Sequence, residues 1–199
     1  MTNYFNKAAI AAAVAAVAFA APASASPTSV SADGTATVKI FSPLTIAAPS
    51  ATDSVVDFGI LVGTRGGATA RSSNAFVISA GSAPSAASVC TGATNWSCSG
   101  SPHRALYTIT GSVDSSVNVW VSAGTIDLNR AGGTLGAADD TVPLTLALSA
   151  TADSNGDGTA DVFLTAGTAD VYVGGSLGVS STDNDGVYTG TFTVNADYQ

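Results

Sequence analysis

Apolar and polar side chains alternate residue by residue through much of this chain, in short runs punctuated by Gly, Asp and Pro. That rhythm matches an extended strand, whose successive side chains point to opposite faces, and it does not build the continuous apolar stripe of a helix. Val30, Ala32, Gly34, Ala36, Val38 and Ile40 all fall on one face of such a strand, before Pro43 bends it or confines it to an edge. Further strands are predicted over 55–62, 75–79, 104–110, 116–122, 142–150, 160–164, 169–173 and 187–198, with loops over 81–88 and 131–140. In the last of these strands Tyr188, Phe192, Val194 and Tyr198 share a face that can be buried while threonines face water.

Composition points the same way. All 14 acidic residues are Asp, Glu is absent, and Gln199 is the only Gln, so the long polar side chains that favour exposed helix faces are scarce. Many short strands without an amphipathic helix predict an all-β fold, an immunoglobulin-like or pilin-like β-sandwich.

The first residues have the form of a cleaved signal peptide, 1–25. Lys7 precedes an apolar run from Ala8 to Ala21, and Ala23-Ser24-Ala25 supplies a small-x-small cleavage site. The run is too short to span a bilayer core of about 30 Å. The expectation is an exported protein, in the periplasm, on the cell surface or outside the cell, with one β-sandwich domain over 26–199 and no membrane span in the mature chain. Lys39, Arg65, Arg71, Arg104 and Arg130 are then its only basic residues against 14 Asp, which argues against nucleic acid as a partner.

Cys90 and Cys98 are the only cysteines, and in an oxidising compartment they are expected to form a disulfide around a short loop containing Trp96. A metal site or a catalytic thiol would need more Cys or His than the single His103, which is read as an exposed turn residue.

The sharpest local motif runs from Asp153 to Asp161. Asp153, Asn155 and Asp157 offer oxygen ligands at alternate positions, Thr159 a carbonyl and Asp161 a further acid, as in extracellular calcium loops. A bidentate Glu and flanking helices are missing, and the same residues favour an Asx-rich hairpin turn between 144–150 and 160–164, so calcium and turn both stand as readings. No other cofactor is called for. Asp183-Asn184-Asp185-Gly186 is a weaker version and reads as a turn.

Catalytic chemistry has little to draw on. Only Asp pairs such as Asp139 with Asp140 remain as acid-base candidates, read as solvated loop acids, and the chain is not expected to be an enzyme. Trp96, Trp120, Tyr107 and Tyr172 are candidates for a sugar-stacking surface or, more plainly, for core aromatics.

Three segments carry a resemblance: Lys39-Ile40-Phe41-Ser42-Pro43-Leu44-Thr45-Ile46; Asp57-Phe58-Gly59 followed by Ile60; and Gly186-Val187-Tyr188-Thr189-Gly190-Thr191-Phe192-Thr193-Val194. Together they resemble an exported bacterial β-sandwich family, the domain of unknown function 4402, which is similar to spore coat protein U and to chaperone-usher pilin subunits. Such pilins end in an alternating strand with a penultimate aromatic and a glycine fourteen residues from the end, here Tyr198 and Gly186.

The resemblance implies a structural subunit of a fibre or coat whose partners are other copies or related subunits and a periplasmic chaperone. Gly186, Tyr188, Phe192, Val194 and Tyr198 would dock chaperone or subunit by β-augmentation. Val30, Ala32, Gly34, Ala36 and Val38 would form a strand donated to the next subunit, within a donor or first-strand segment 26–40. The late position of Cys90 and Cys98 and the candidate calcium loop depart from the pilin pattern. The alternative is a self-complete secreted binding module, adhesin-like and stabilised by calcium.

Overall fold

The computed structural model describes residues 31–68, 70–150 and 159–199; the signal segment, Val30, Asp153, Asn155 and Asp157 lie outside them. The described chain is almost entirely β. Its strands are β1 (Thr45–Ala47), β2 (Ile60–Gly63), β3 (Asn74–Ile78), β4 (Trp96–Ser99), β5 (Ala105–Thr110), β6 (Ser115–Val121), β7 (Thr125–Arg130), β8 (Thr141–Leu148), β9 (Ala160–Leu164), β10 (Thr168–Val179), β11 (Tyr188–Thr189) and β12 (Val194–Tyr198). One helical turn, α1 (Ala86–Val89), is closed by a reciprocal cap between Ser85 and Ser88. It falls where the sequence predicts only a loop.

All strand pairs are antiparallel. The large sheet runs β1-β5-β10-β8-β7-β11, with β3 also on β10; a smaller sheet runs β12-β6-β9, and β2 pairs with β4 alone. The inner faces of the two larger sheets meet in one core. Ile109, Val171 and Val173 come from the large sheet, Val117, Val119 and Leu164 from the smaller one, and each is at most 1 % exposed. In β8 the alternation is plain: Val142, Leu144 and Leu146 are buried while Pro143, Thr145 and Ala147 face out. Pro143 is tolerated because it pairs only with Asp127 of β7; the ladder with β10 stops at Leu144.

Strand β10 holds the large sheet together and extends well beyond the predicted 169–173. Its first half pairs with β5 and its second half with β3 along one edge. Gly174 stands at the junction, where a Cβ would lie 2.2 Å from the Ile78 carbonyl oxygen and 2.7 Å from the Ala80 nitrogen. A pair of glycines that reads as a strand break is thus the point at which two strand ends converge on a third. Arg104 ties the same corner, donating from Nη1 to the Ala80 carbonyl at 2.5 Å, with its guanidinium 3.5 Å from the centre of the Tyr172 ring.

Several expectations are corrected. Residues 31–40 are exposed and belong to no strand, so the alternation there finds no partner among the described residues. Strands β1, β4 and β7 are additions to the predicted set. The predicted strand 187–198 is two strands: β11 joins β7 in the large sheet and β12 joins β6 in the smaller one. The crossing occurs at Gly190, where a Cβ would come within 2.7 Å of Leu128 Cδ2 and 2.9 Å of the Asp127 carbonyl oxygen. The hairpin pairing of 144–150 with 160–164, which one of the two readings of the intervening loop implies, is absent, because β8 and β9 belong to different sheets. Of the candidate calcium ligands the structure describes Thr159, half-buried, and Asp161, the second residue of β9, which lies opposite Asn118 and accepts a hydrogen bond from Gln199.

Candidate functional site: an apolar groove

The disulfide between Cys90 and Cys98 is formed, with Cα atoms 5.7 Å apart, and fastens α1 to β4. Trp96 of β4 is held by Phe76, edge to face at a centroid distance of 5.1 Å, and donates from Nε1 to the Ser72 carbonyl at 2.8 Å. Beside this fixed corner runs a groove of about 610 Å³. Residues 55–62 form one wall and 183–189 the other, Leu128, Val142, Leu177 and Val179 lie between them, and Arg71 and Trp96 border it. Its apolar side chains are incompletely covered: Ile60 is 60 % exposed, Val62 57 % and Val187 68 %.

Both walls end in a free sheet edge. Among the described residues β2 is paired only with β4, and β11 only with β7. Each edge strand therefore turns part of its backbone N–H and C=O groups away from its partner. Among the described residues no hydrogen bond joins residues 55–62 to residues 186–189. Apolar surface flanked by unpaired strand edges is suited to receiving an extended polypeptide, through backbone ladders and alternate side-chain contacts.

One end of the groove is tied shut. The Arg71 side chain, only 7 % exposed, donates from Nη2 to the Asp183 carbonyl, from Nη1 to Asp185 Oδ1 at 3.0 Å and from Nε to the Ser181 carbonyl at 3.4 Å. Its guanidinium carbon also lies 5.1 Å from the centre of the Trp96 ring. Arg65 reaches the carbonyls of Thr182 and Asp183, and its Nε is 3.6 Å from Asp185 Oδ1. The Asp183 carboxylate accepts from the Ser180 amide at 2.7 Å, and burial pushes its pKa up. The hydrogen-bonded turn lies earlier, over 180–183, and the Asp183-Asn184-Asp185-Gly186 segment follows it as a bend held by two arginines.

Behind this turn lies a second charged pair. Asp140 is buried against Arg130, with Nε to Oδ1 at 2.5 Å, and also accepts from Asn184 Nδ2 at 2.8 Å and the Thr134 amide at 2.8 Å. The Arg130 hydrogen bond, then those from Asn184 and Thr134, hold its carboxyl well below the usual carboxylate range. The expectation of two solvated acids therefore fails for Asp140. His103 also departs from its reading: it is half-buried, forms a backbone bridge with Asp57, and its ring nitrogens lie 3.2 Å from the carbonyls of Ser101 and Thr52.

The five predicted docking residues separate. Gly186 and Tyr188 line the groove. A Cβ on Gly186 would collide with the Arg130 side chain at 2.8 Å, and the Tyr188 hydroxyl donates to the Asn184 carbonyl at 2.6 Å. Phe192 instead packs edge to face on Tyr107, Val194 is buried in the core, and Tyr198 is bonded to the Ser42 carbonyl. The four candidate stacking aromatics form no common surface. Tyr107 and Tyr172 point to opposite faces of the large sheet, being opposite Val171 and Leu106 respectively; Trp120 lies on the smaller sheet and Trp96 in the corner beside Phe76.

The family model for a domain of unknown function, DUF4402, matches residues 56–198. The chain belongs to the DUF4402 family. Both walls of the groove, Arg71, the disulfide and all of β3 to β12 lie within the matched region of this DUF4402 protein, apart from Val55 at the edge of one wall. The segment 31–38 lies before it. A search of curated proteins gives no match.

Sequence reasoning missed Arg71, which borders the groove, and Arg65, which holds the adjoining 182–185 stretch. The available signal was scarcity: with Lys and Arg totalling 6, a pair at Arg65 and Arg71 around Gly66-Gly67 stands out.

Proposed function

We propose that this protein is a structural, pilin-like subunit of an extracellular fibre or coat, exported through its signal peptide and assembled by strand donation. The alternating segment Val30, Ala32, Gly34, Ala36 and Val38 of one copy enters the groove between β2 and β11 of the next. What supports this reading is the groove itself: mainly apolar, and bordered by two strands that each pair on one side only among the described residues. A donated strand would pair those edges and cover the apolar surface in one step.

Two further observations support it. The described part of the segment is exposed and outside every strand, with Val38 80 % exposed, so it is available to another chain. Its side chains on the donating face are small and apolar, which suits the mainly apolar lining of the groove. The disulfide fits the oxidising compartment that export implies.

The test is electrophoresis of the protein sheared from its cells, in detergent, with and without boiling. The proposal expects a ladder of multiples that collapses to one band on heating. A single monomer band in both lanes would refute assembly by donated strands.

A further inference from the structure

A donated strand must choose a register, and the apolar part of the groove cannot choose it. A slip of one residue exchanges the two faces and is disfavoured, but a slip of two keeps the faces and moves the strand by about 7 Å. Ala32, Gly34 and Ala36 differ little in size, so over the middle of the strand such a slip changes the apolar contacts little, and only Val30 and Val38 at its ends resist it. The register must be fixed by something that the strand meets end-on.

We propose that the Arg71 clasp is that stop, an end wall that fixes the register of the strand bound in the groove; this rests on the strand-accepting reading above. Arg71 sits at the Gly63 end of β2, where a Cβ on Gly63 would lie 2.7 Å from Arg71 Cδ and 2.8 Å from Trp96 Cε3. Its backbone amide donates to the Thr64 carbonyl at 2.6 Å, and its guanidinium holds the 181–185 turn. Arg71 therefore joins the two walls just beyond the paired part of β2.

The wall is rigid as well as closed. Each guanidinium nitrogen of Arg71 has an acceptor, and the group is buried, so displacing it would break three hydrogen bonds and leave backbone carbonyls of the turn without their donor. A charged, anchored side chain also repels the apolar end of an incoming strand, because that end cannot solvate it. Arg71 is thus a positioning residue for assembly.

Cysteine-pair mapping on the full mature chain tests this. One population carries Val187→Cys in the groove; the other carries Gly34→Cys, Ala36→Cys or Val38→Cys in the segment. The populations are mixed, oxidised and scored for cross-linked dimers. With Arg71 intact, one segment position should dominate the others by about tenfold. In Arg71→Gln, positions two residues away should rise to within about threefold of it.

Because Arg71→Gln removes a buried group, a second background, Arg65→Gln with Asp185→Asn, loosens the clasp from its more exposed side by removing the carboxylate that both arginines share; these side chains are 42 % and 73 % exposed. The same spreading is expected there. Unchanged dominance in both backgrounds would overturn the register stop while leaving strand donation standing. No cross-linking at any position with Arg71 intact would overturn both.

Discussion

Tyr198 donates its phenolic proton to the carbonyl oxygen of Ser42 at 2.8 Å, joining positions 156 apart in sequence. The Tyr198 phenolic oxygen in turn accepts from the Ser112 amide at 2.7 Å, Phe41 stacks on the ring at 4.4 Å, and a Cβ on Gly111 would lie 2.3 Å from the hydroxyl. The residue that the pilin resemblance marks for docking is here fully used within its own domain. It fixes the stretch from which the segment preceding residue 41 departs.

Replacing Tyr198 with Phe keeps the stack and removes only the hydroxyl. The Ser112 amide and the Ser42 carbonyl then lose their partner, and stability should fall by about 1 to 2 kcal/mol. The urea midpoint measures this. Limited proteolysis near residue 42 should also accelerate.

Gly174→Ala tests the convergence of β3 and β5 on β10. The added methyl would meet backbone, the Ile78 carbonyl and the Ala80 amide, rather than a side chain that can rotate away. A loss of about 3 kcal/mol is expected, seen as a large drop in melting temperature.

These two sites show what the sequence made legible. Strands β5, β6, β8 and β9 were readable because each buries one face, so alternation survives in the residue types. Strand β10 was cut short because Gly174-Gly175 resembles a break until the close approach it permits is seen. Strand β7 contributes only Ile126 and Leu128 as apolar residues, and β4 hides inside the disulfide loop. The groove was not legible: it arises where residues 55–62 approach residues 183–189, a non-local event that no local pattern records. Gly186 and Tyr188 were found by resemblance, whereas Arg71 looks on paper like any solvated arginine.

Asp183 and Asp140 should respond to pH with opposite signs. Burial raises the Asp183 pKa in the fold, so the native state binds a proton more readily than the unfolded chain and the ionised group costs stability at neutral pH. Asp183→Asn should therefore melt higher than wild type at neutral pH. That advantage should vanish as pH falls through the raised value to below the ordinary carboxylate range.

The Asp140 pKa is lowered, so its stabilisation is present above the ordinary carboxylate value and persists until pH falls through its depressed folded value. Asp140→Asn should melt lower than wild type at neutral and mildly acidic pH alike, the gap closing only in strong acid. Melting curves across an acid titration check both signs.

Opening the ring between Cys90 and Cys98 with paired Ser substitutions should cost about 2 to 3 kcal/mol, the loop-closure value for so short a ring. Because the bridge fastens α1 to the strand that carries Trp96, the near-ultraviolet signal of tryptophan should weaken before global unfolding.

Sedimentation velocity of the mature protein, compared with a chain lacking residues 26–38, addresses strand donation most directly. The account predicts a series of multiples for the intact chain and a folded monomer for the shortened one. An intact chain that stays monomeric, or multiples that survive the deletion, would contradict it.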